Sequence, residues 1–141
     1  MKKIESFRNE HFFLSNFYPV IIWNAGIRYP SAEHAFQAAK TLDFEMRRKI
    51  AATLKPGQAK RMGRSVVLRE DWDSVKLDVM RRILELKFSV PSLKAKLLAT
   101  GDAHIVEGNT WNDRFWGVCN GVGANHLGKL LMALRDRLAV S

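Results

Sequence analysis

The chain has 141 residues, a net charge of +9, 47% hydrophobic and 26% charged residues. This is the composition of one globular domain, residues 1–141, long enough to bury a core without disulfide or metal staples. The single Cys119 excludes an intrachain disulfide, fits a reducing compartment, and among apolar and glycine neighbours reads as a small core residue. The opening MKKIESFRNE lacks an apolar signal core, and no segment approaches the roughly 18 apolar residues of a membrane span. A soluble cytoplasmic protein with no membrane association is therefore expected. Eight Lys/Arg and no acid stand between Met46 and Arg69. Such a patch attracts phosphate, on a nucleotide or along a nucleic acid, or else forms a solvated face.

In chain order, VIIWNAGIRY at Val20 to Tyr29 reads as two short strands around Asn24-Ala25-Gly26. Pro30 is expected to stop the strand, and Ser31 to cap a helix running to about Leu42. Asp43 caps a second helix to about Leu54, which Pro56-Gly57 breaks. A short helix from about Gln58 to Arg64 leads to a strand-like SVVL at Ser65 to Leu68. The longest helix is predicted from Trp72 to Phe88, with Val75, Val79, Met80, Ile83 and Leu84 as its core stripe. Pro91 opens a helix ending at Gly101, His104 to Glu107 reads as a strand, and Asn125 caps a last helix carried by Leu127, Leu130, Leu131, Leu134 and Leu138. The sum is an α+β domain, predominantly helical, with a small β-sheet.

Two segments carry chemistry. Glu107 to Gly128 holds five of the nine glycines, two of the four tryptophans and four asparagines. Glycines admit close backbone approach, and Trp111, Phe115 and Trp116 with amide side chains suit a flat heterocycle joined to a sugar; a surface loop pinned by aromatic anchors has the same look. In SAEHAFQAAKTL, Glu33, Gln37 and Lys40 fall within about 60° of one another on a helix, beside a small-residue face of Ala32, Ala35, Phe36 and Ala39. Spacing alone favours a solvated stripe with ordinary helical pairing over a reactive set. No HExxH, paired CxxC or carboxylate cluster calls for a metal, and no cofactor motif occurs. GVGANHLG at Gly121 to Gly128 lacks the lysine of a phosphate loop, although Asn125 at a helix mouth could aim backbone N–H groups at an anion.

Four blocks in order resemble the YbiA-like, or NADAR, family: LSNFYP at Leu14 to Pro19, YPSAEHAFQAAK at Tyr29 to Lys40, EGNTWNDRFWG at Glu107 to Gly117, and GANHLGKLLMALR at Gly123 to Arg135. Their order and spacing are more specific than any one block. The resemblance implies an N-glycosidase that cleaves ribose from an amino-bearing heterocycle. Its implied substrates are phosphorylated ribosylamino-pyrimidine intermediates of riboflavin synthesis or ADP-ribose attached to guanine in nucleic acid. It carries over Glu33, His34, Gln37 and Lys40 from the second block, Glu107, Asp113, Trp116 and Gly117 from the third, and Asn16, Phe17, Asn125 and Gly128 from the others. Cys119 stands where relatives often have glycine, a departure that bears on loop shape and substrate preference.

Two mechanisms suit such a bond. Lys40 as a neutral amine attacks C1 to give an imine, with Glu33 moving the proton. Alternatively Glu33 or Asp113 activates water for displacement through an oxocarbenium-like state, and Lys40 holds phosphate or hydroxyl groups. The rival reading from another class is a non-catalytic module for ADP-ribose or nucleic acid. Keeping Glu33, Lys40, Glu107 and Asp113 together argues against it, since a binder has no need of a reactive pair.

Overall fold

The structure, a computed structural model, describes residues 2–140; Met1 and Ser141, the ends of the expected domain, lie outside the described residues. In chain order it contains β1 (Lys3–Ile4), a 3-10 helix (Asn9–Leu14), β2 (Pro19–Asn24), β3 (Ile27–Ser31), α1 (Ala32–Ala38), α2 (Phe44–Ala51), α3 (Pro56–Gly63), α4 (Trp72–Lys87), α5 (Pro91–Ala99), β4 (His104–Ile105) and α6 (His126–Ala139). The expected helix-rich α+β class holds, with the sheet divided into two two-stranded ladders. No helix among the described residues is long and apolar enough to cross a membrane. The chain forms two compact units, one from Asn16 to Lys87 and one from the residues before and after it.

In the Asn16–Lys87 unit, β2 and β3 pair antiparallel, with Ile22 opposite Tyr29 and Asn24 opposite Ile27. Ala25 and Gly26 turn the hairpin with φ of 50° and 79°, the left-handed pair whose twist matches that of the flanking strands. Contrary to expectation, Pro30 does not end β3. The strand continues to Ser31, opposite Pro19, because each strand of a two-stranded ladder has an unpaired edge where a missing N–H costs little. Ser31 then caps α1, its hydroxyl accepting the His34 N–H at 3.1 Å.

α1 stops at Ala38, four residues short of the expected Leu42. Its exit is a tightened turn, Lys40 N–H to Gln37 O and Thr41 N–H to Ala38 O. Thr41 Oγ1 accepts from Asp43 N–H, and Asp43 must be extended for its carboxylate to receive the Glu45 and Met46 amides and cap α2. α2 ends at Ala51 before the expected Leu54, and α3 opens with Pro56 at its first turn. Ser65 to Leu68 is not a strand. Its β-branched run has no partner strand among the described residues, and Val67 is 87% exposed. α4 packs on β2 and α1 through buried Met80, Ile83 and Leu84, and Trp72 meets Phe36 with ring centroids 5.2 Å apart.

In the other unit, β1 lies parallel to β4, with Lys3 beside His104 and Ile4 beside Ile105. Two-residue strands carry no periodicity, so β1 had no sequence signal, and neither did the 3-10 helix. Leu97, Ile105, Leu127, Leu131 and Leu134 form the core, and Phe13 meets Phe88 edge-on at 6.5 Å. Buried Arg135 donates to Ala103 O at 2.8 Å and Thr100 Oγ1 at 3.0 Å.

Lys87, at the end of α4, is completely buried, with its ammonium 5.8 Å from the centre of the Tyr18 ring. Burial pushes its pKa down to about 7 from 10.5. Between those values the unfolded chain holds a proton that the folded one releases, so this group makes stability rise with pH across that window and contributes no slope below it. Lys87→Met is expected to flatten the dependence of unfolding free energy on pH between 7 and 10 by an amount on the order of a few kcal/mol. Denaturant titrations at several pH values measure this, and an unchanged slope would show Lys87 to be charged in the folded protein.

Candidate active site

The stripe of α1 is not a solvated face. Glu33 and Gln37 are only 7% and 4% exposed, and Lys40 is half-buried. Gln37 Nε2 donates to Glu33 Oε2 at 2.5 Å, fixing the carboxylate, and Gln37 itself stands three residues before Lys40. Asn16 meets the first turn of the same helix, its backbone carbonyl accepting the Glu33 N–H at 2.9 Å. The Asn16 amide is buried, with Nδ2 on Met80 Sδ at 3.5 Å. Asn16 Oδ1 and Gln37 Oε1 find no hydrogen-bond partner among the described residues. Phe17, next in sequence, is exposed.

His34 has a bracing position. Its ring is fully buried, with Nδ1 2.7 Å from Ser31 Oγ and Nε2 3.0 Å from Thr53 O. A carbonyl only accepts, so Nε2 carries the proton and Nδ1 receives the Ser31 hydroxyl. Burial holds the imidazole pKa below its usual value, partly offset by the Thr53 bond. His34 thereby ties α1 to the connection between α2 and α3.

Burial also lowers the Lys40 pKa; the Glu33 carboxylate raises it, and the Arg64 and Lys60 charges lower it again. Those two cations come from α3 and the residue that follows it, and α3 packs on α1 through buried Ala59 and Gly63. A Cβ on Gly63 would collide with the Gln37 amide, so glycine is what allows the approach. Arg69 holds the far end, with its amide donating to Lys40 O at 2.8 Å, its guanidinium reaching Ala39 O at 3.5 Å and Nε and Nη2 gripping Asp71 at 2.6 and 3.0 Å. From sequence, Lys60, Arg64 and Arg69 were members of a basic patch expected to attract phosphate or to form a solvated face. Their Lys/Arg content was the signal, and their proximity to α1 was hidden by a distance in sequence that only the fold closes.

In the other unit, the Glu107–Gly128 segment is organised by amides. Asn109 Nδ2 donates to Glu107 Oε2 at 2.8 Å and to Asp113 O at 2.9 Å, while its Oδ1 accepts the Asp113 N–H at 3.0 Å. Asp113 Oδ1 accepts the Phe115 and Trp116 amides at 3.1 and 2.9 Å. A Cβ on Gly117 would strike the Glu107 carboxylate and carbonyl. Phe115 meets Trp116 edge-on at 4.7 Å and His126 at a tilt at 4.5 Å, and Trp111 is exposed. Cys119 is buried and free.

Asn125 does not cap α6 with its side chain. It sits at φ 55°, ψ 40°, with Oδ1 accepting the Glu107 N–H at 3.0 Å and Nδ2 donating to Ile105 O at 2.9 Å. The His126 and Leu127 amides donate to Phe115 O and Trp116 O. The possible anion site at this helix mouth is therefore corrected, since its leading N–H groups are already spent on protein carbonyls. Within the Asn16–Lys87 unit the structure thus brings together Asn16, Glu33, Gln37 and Lys40. Within the other unit it brings together Glu107, Asp113, Trp116, Gly117 and Asn125.

In sequence and fold the chain is similar to known proteins. The NADAR domain family matches residues 4–139. N-glycosidase YbiA of Escherichia coli (strain K12) is 47% identical over 130 residues, covering 89% of this chain and 81% of that protein. A riboflavin biosynthesis protein of Vibrio vulnificus (strain YJ016) is 40% identical over 133 residues, covering 91% of this chain and 36% of that protein. The NMR structure of E. coli YbiA superposes with a TM-score of 0.86 at 42% identity, covering 99% of this chain and 88% of that one.

Asp113→Ala removes the acceptor of two amides and is expected to destabilise the protein by about 1–2 kcal/mol. Asp113→Asn keeps an oxygen at that position and should recover most of the loss. Chemical denaturation decides, and an Ala variant as stable as wild type would mean that the carboxylate does not hold this turn.

Proposed function

The chain belongs to the NADAR domain family, and on that premise we propose that it is an N-glycosidase hydrolysing the C1–N bond between ribose and an amino-bearing heterocycle. The substrate is a phosphorylated ribosylamino-pyrimidine of the riboflavin pathway or ADP-ribosylated guanine in nucleic acid. The observation that carries this reading is the buried Glu33–Gln37 pair close before a lysine whose pKa is depressed chiefly by burial and which feels the Glu33 charge. The E. coli relative's name as an N-glycosidase and the Vibrio relative's name as a riboflavin biosynthesis protein support the activity and the pyrimidine branch.

As the C1–N bond lengthens, positive charge develops at C1 and the leaving amine takes a proton. A neutral Lys40 amine attacks C1, so the C1–Nζ bond forms as the heterocycle departs with the bond's electron pair. The ring then opens to an imine, and water adds to its carbon, releasing the sugar with its phosphate, as ribose 5-phosphate or ADP-ribose, and restoring the lysine. Glu33 moves the protons. It is preferred over Asp113 for this part because Asp113 Oδ1 is already engaged by two amides. A depressed lysine pKa enlarges the neutral fraction, so the rate should rise with pH through a midpoint below the ordinary lysine value.

Lys40→Ala and Lys40→Arg are both expected to lose at least about a hundredfold in turnover, since arginine keeps the charge but cannot form the imine. Borohydride added during turnover should fix a ribose-derived mass on Lys40. Activity in Lys40→Arg with no mass increment on the wild-type lysine would replace the adduct with Glu33-activated water. A non-catalytic binding module predicts neither released base nor free ribose phosphate from any N-riboside, which mass spectrometry reads directly.

A further inference from the structure

The two ends of α1 offer opposite chemistry. At the N-terminal end stands Asn16, joined to the helix by its carbonyl on the Glu33 amide. The residue is 9% exposed, Nδ2 rests on a methionine sulfur, and Oδ1 has no hydrogen-bond partner among the described residues. A buried acceptor left without a donor is costly, and a ligand N–H is the group that relieves it.

At the other end, Lys40 lies two residues beyond α1, and Lys60 and Arg64 are near enough to act on its charge. Each follows by one position a residue of the buried α3 face, Ala59 and Gly63, so the two side chains line one edge of the α1–α3 pair. Three cations thus gather at this end, and the Glu33 carboxylate that acts on Lys40 already receives Gln37. Like charges gathered this way repel, and a phosphate dianion is the partner that offsets them through charge-assisted bonds. From Glu33 to Lys40 the helix path covers about 10 Å, comparable to the length of a ribosylamino heterocycle 5-phosphate.

We propose that the substrate lies along α1 in one direction, with its phosphate held by Lys60 and Arg64 and an amino group of its heterocycle donating to Asn16 Oδ1. This rests on reading the site as one for a ribosylamino phosphate. C1 lies between the two ends of such a molecule and falls beside Glu33 and Lys40. The phosphate charge is taken up by the α3 cations, and burial, the largest cause of the lowered Lys40 pKa, is unaffected by it.

The test is calorimetric binding of two ligands, ribose 5-phosphate, which has no base, and an aminopyrimidine ribosylamine 5-phosphate. Lys60→Gln and Arg64→Gln should each weaken both ligands roughly tenfold or more, and Arg61→Gln, exposed on the same helix, should weaken neither. Asn16→Leu should weaken only the base-bearing ligand, by roughly tenfold. Asn16→Asp, which keeps an acceptor, guards against a folding defect and should bind ribose 5-phosphate like wild type. The orientation is overturned if ribose 5-phosphate ignores Lys60 and Arg64, or if either Asn16 variant weakens ribose 5-phosphate as much as the base-bearing ligand. If binding follows the proposal but wild type releases no base, the glycosidase reading fails while the subsites stand. Base release with ribose 5-phosphate binding indifferent to Lys60 and Arg64 has the opposite meaning.

Discussion

The close approach of α3 to α1 at Gly63 and Gln37 is the constraint on which the rest of the Asn16–Lys87 unit depends. A Cβ at position 63 would collide with Gln37 Oε1, so any larger residue there would push that amide from its place. Because the helices touch, Gln37 is buried and held on Glu33, and the α3 cations come within electrostatic reach of Lys40. A carboxylate, an amide and an amine on one helical face are ordinary on a solvated helix. Enclosed by a second helix, the same three groups lose water, and their interactions with each other and with a ligand strengthen.

Several residues outside the reacting set keep this enclosure in place. His34 uses both ring nitrogens to join the start of α1 to Thr53, and Arg69 fastens the carbonyls at its end. Short α1 is thereby fixed at both ends, which a helix of two turns needs, since isolated helices of that length are marginal. The Glu107–Gly128 segment uses a parallel device with different parts. Asn109, Asp113 and Asn125 supply side-chain bonds in place of regular secondary structure, which explains how so glycine-rich a stretch holds one conformation.

Much of this was readable in the residues. Asn24-Ala25-Gly26 announced the hairpin, Ser31 and Asp43 announced their helices, and the leucines of α6 announced its core face. What misled was local signal contradicted by tertiary context. SVVL has strand propensity but no strand to pair with among the described residues, Pro30 sits where its missing N–H does little harm, and the α1 pattern runs on through Leu42 although Asp43 needs the chain extended. The stripe of Glu33, Gln37 and Lys40 was visible as a face, but its burial was not, because the helix that covers it lies some twenty residues downstream. For the same reason Asn125 looked like a cap. Its actual partners, Ile105 and Glu107, are far enough back in sequence to leave no periodic trace.

The central claim is that α1 and α3 together create a lysine able to react as a free amine below the ordinary lysine range. The most direct measurement is an NMR titration of the Lys40 side chain, with its methylene carbon next to the amine as reporter and Lys40→Arg for assignment. The account predicts a midpoint clearly below 10.5, the ordinary value, moving upward when Lys60 and Arg64 are both replaced by glutamine. A midpoint at or above the ordinary lysine value, indifferent to those substitutions, would contradict it.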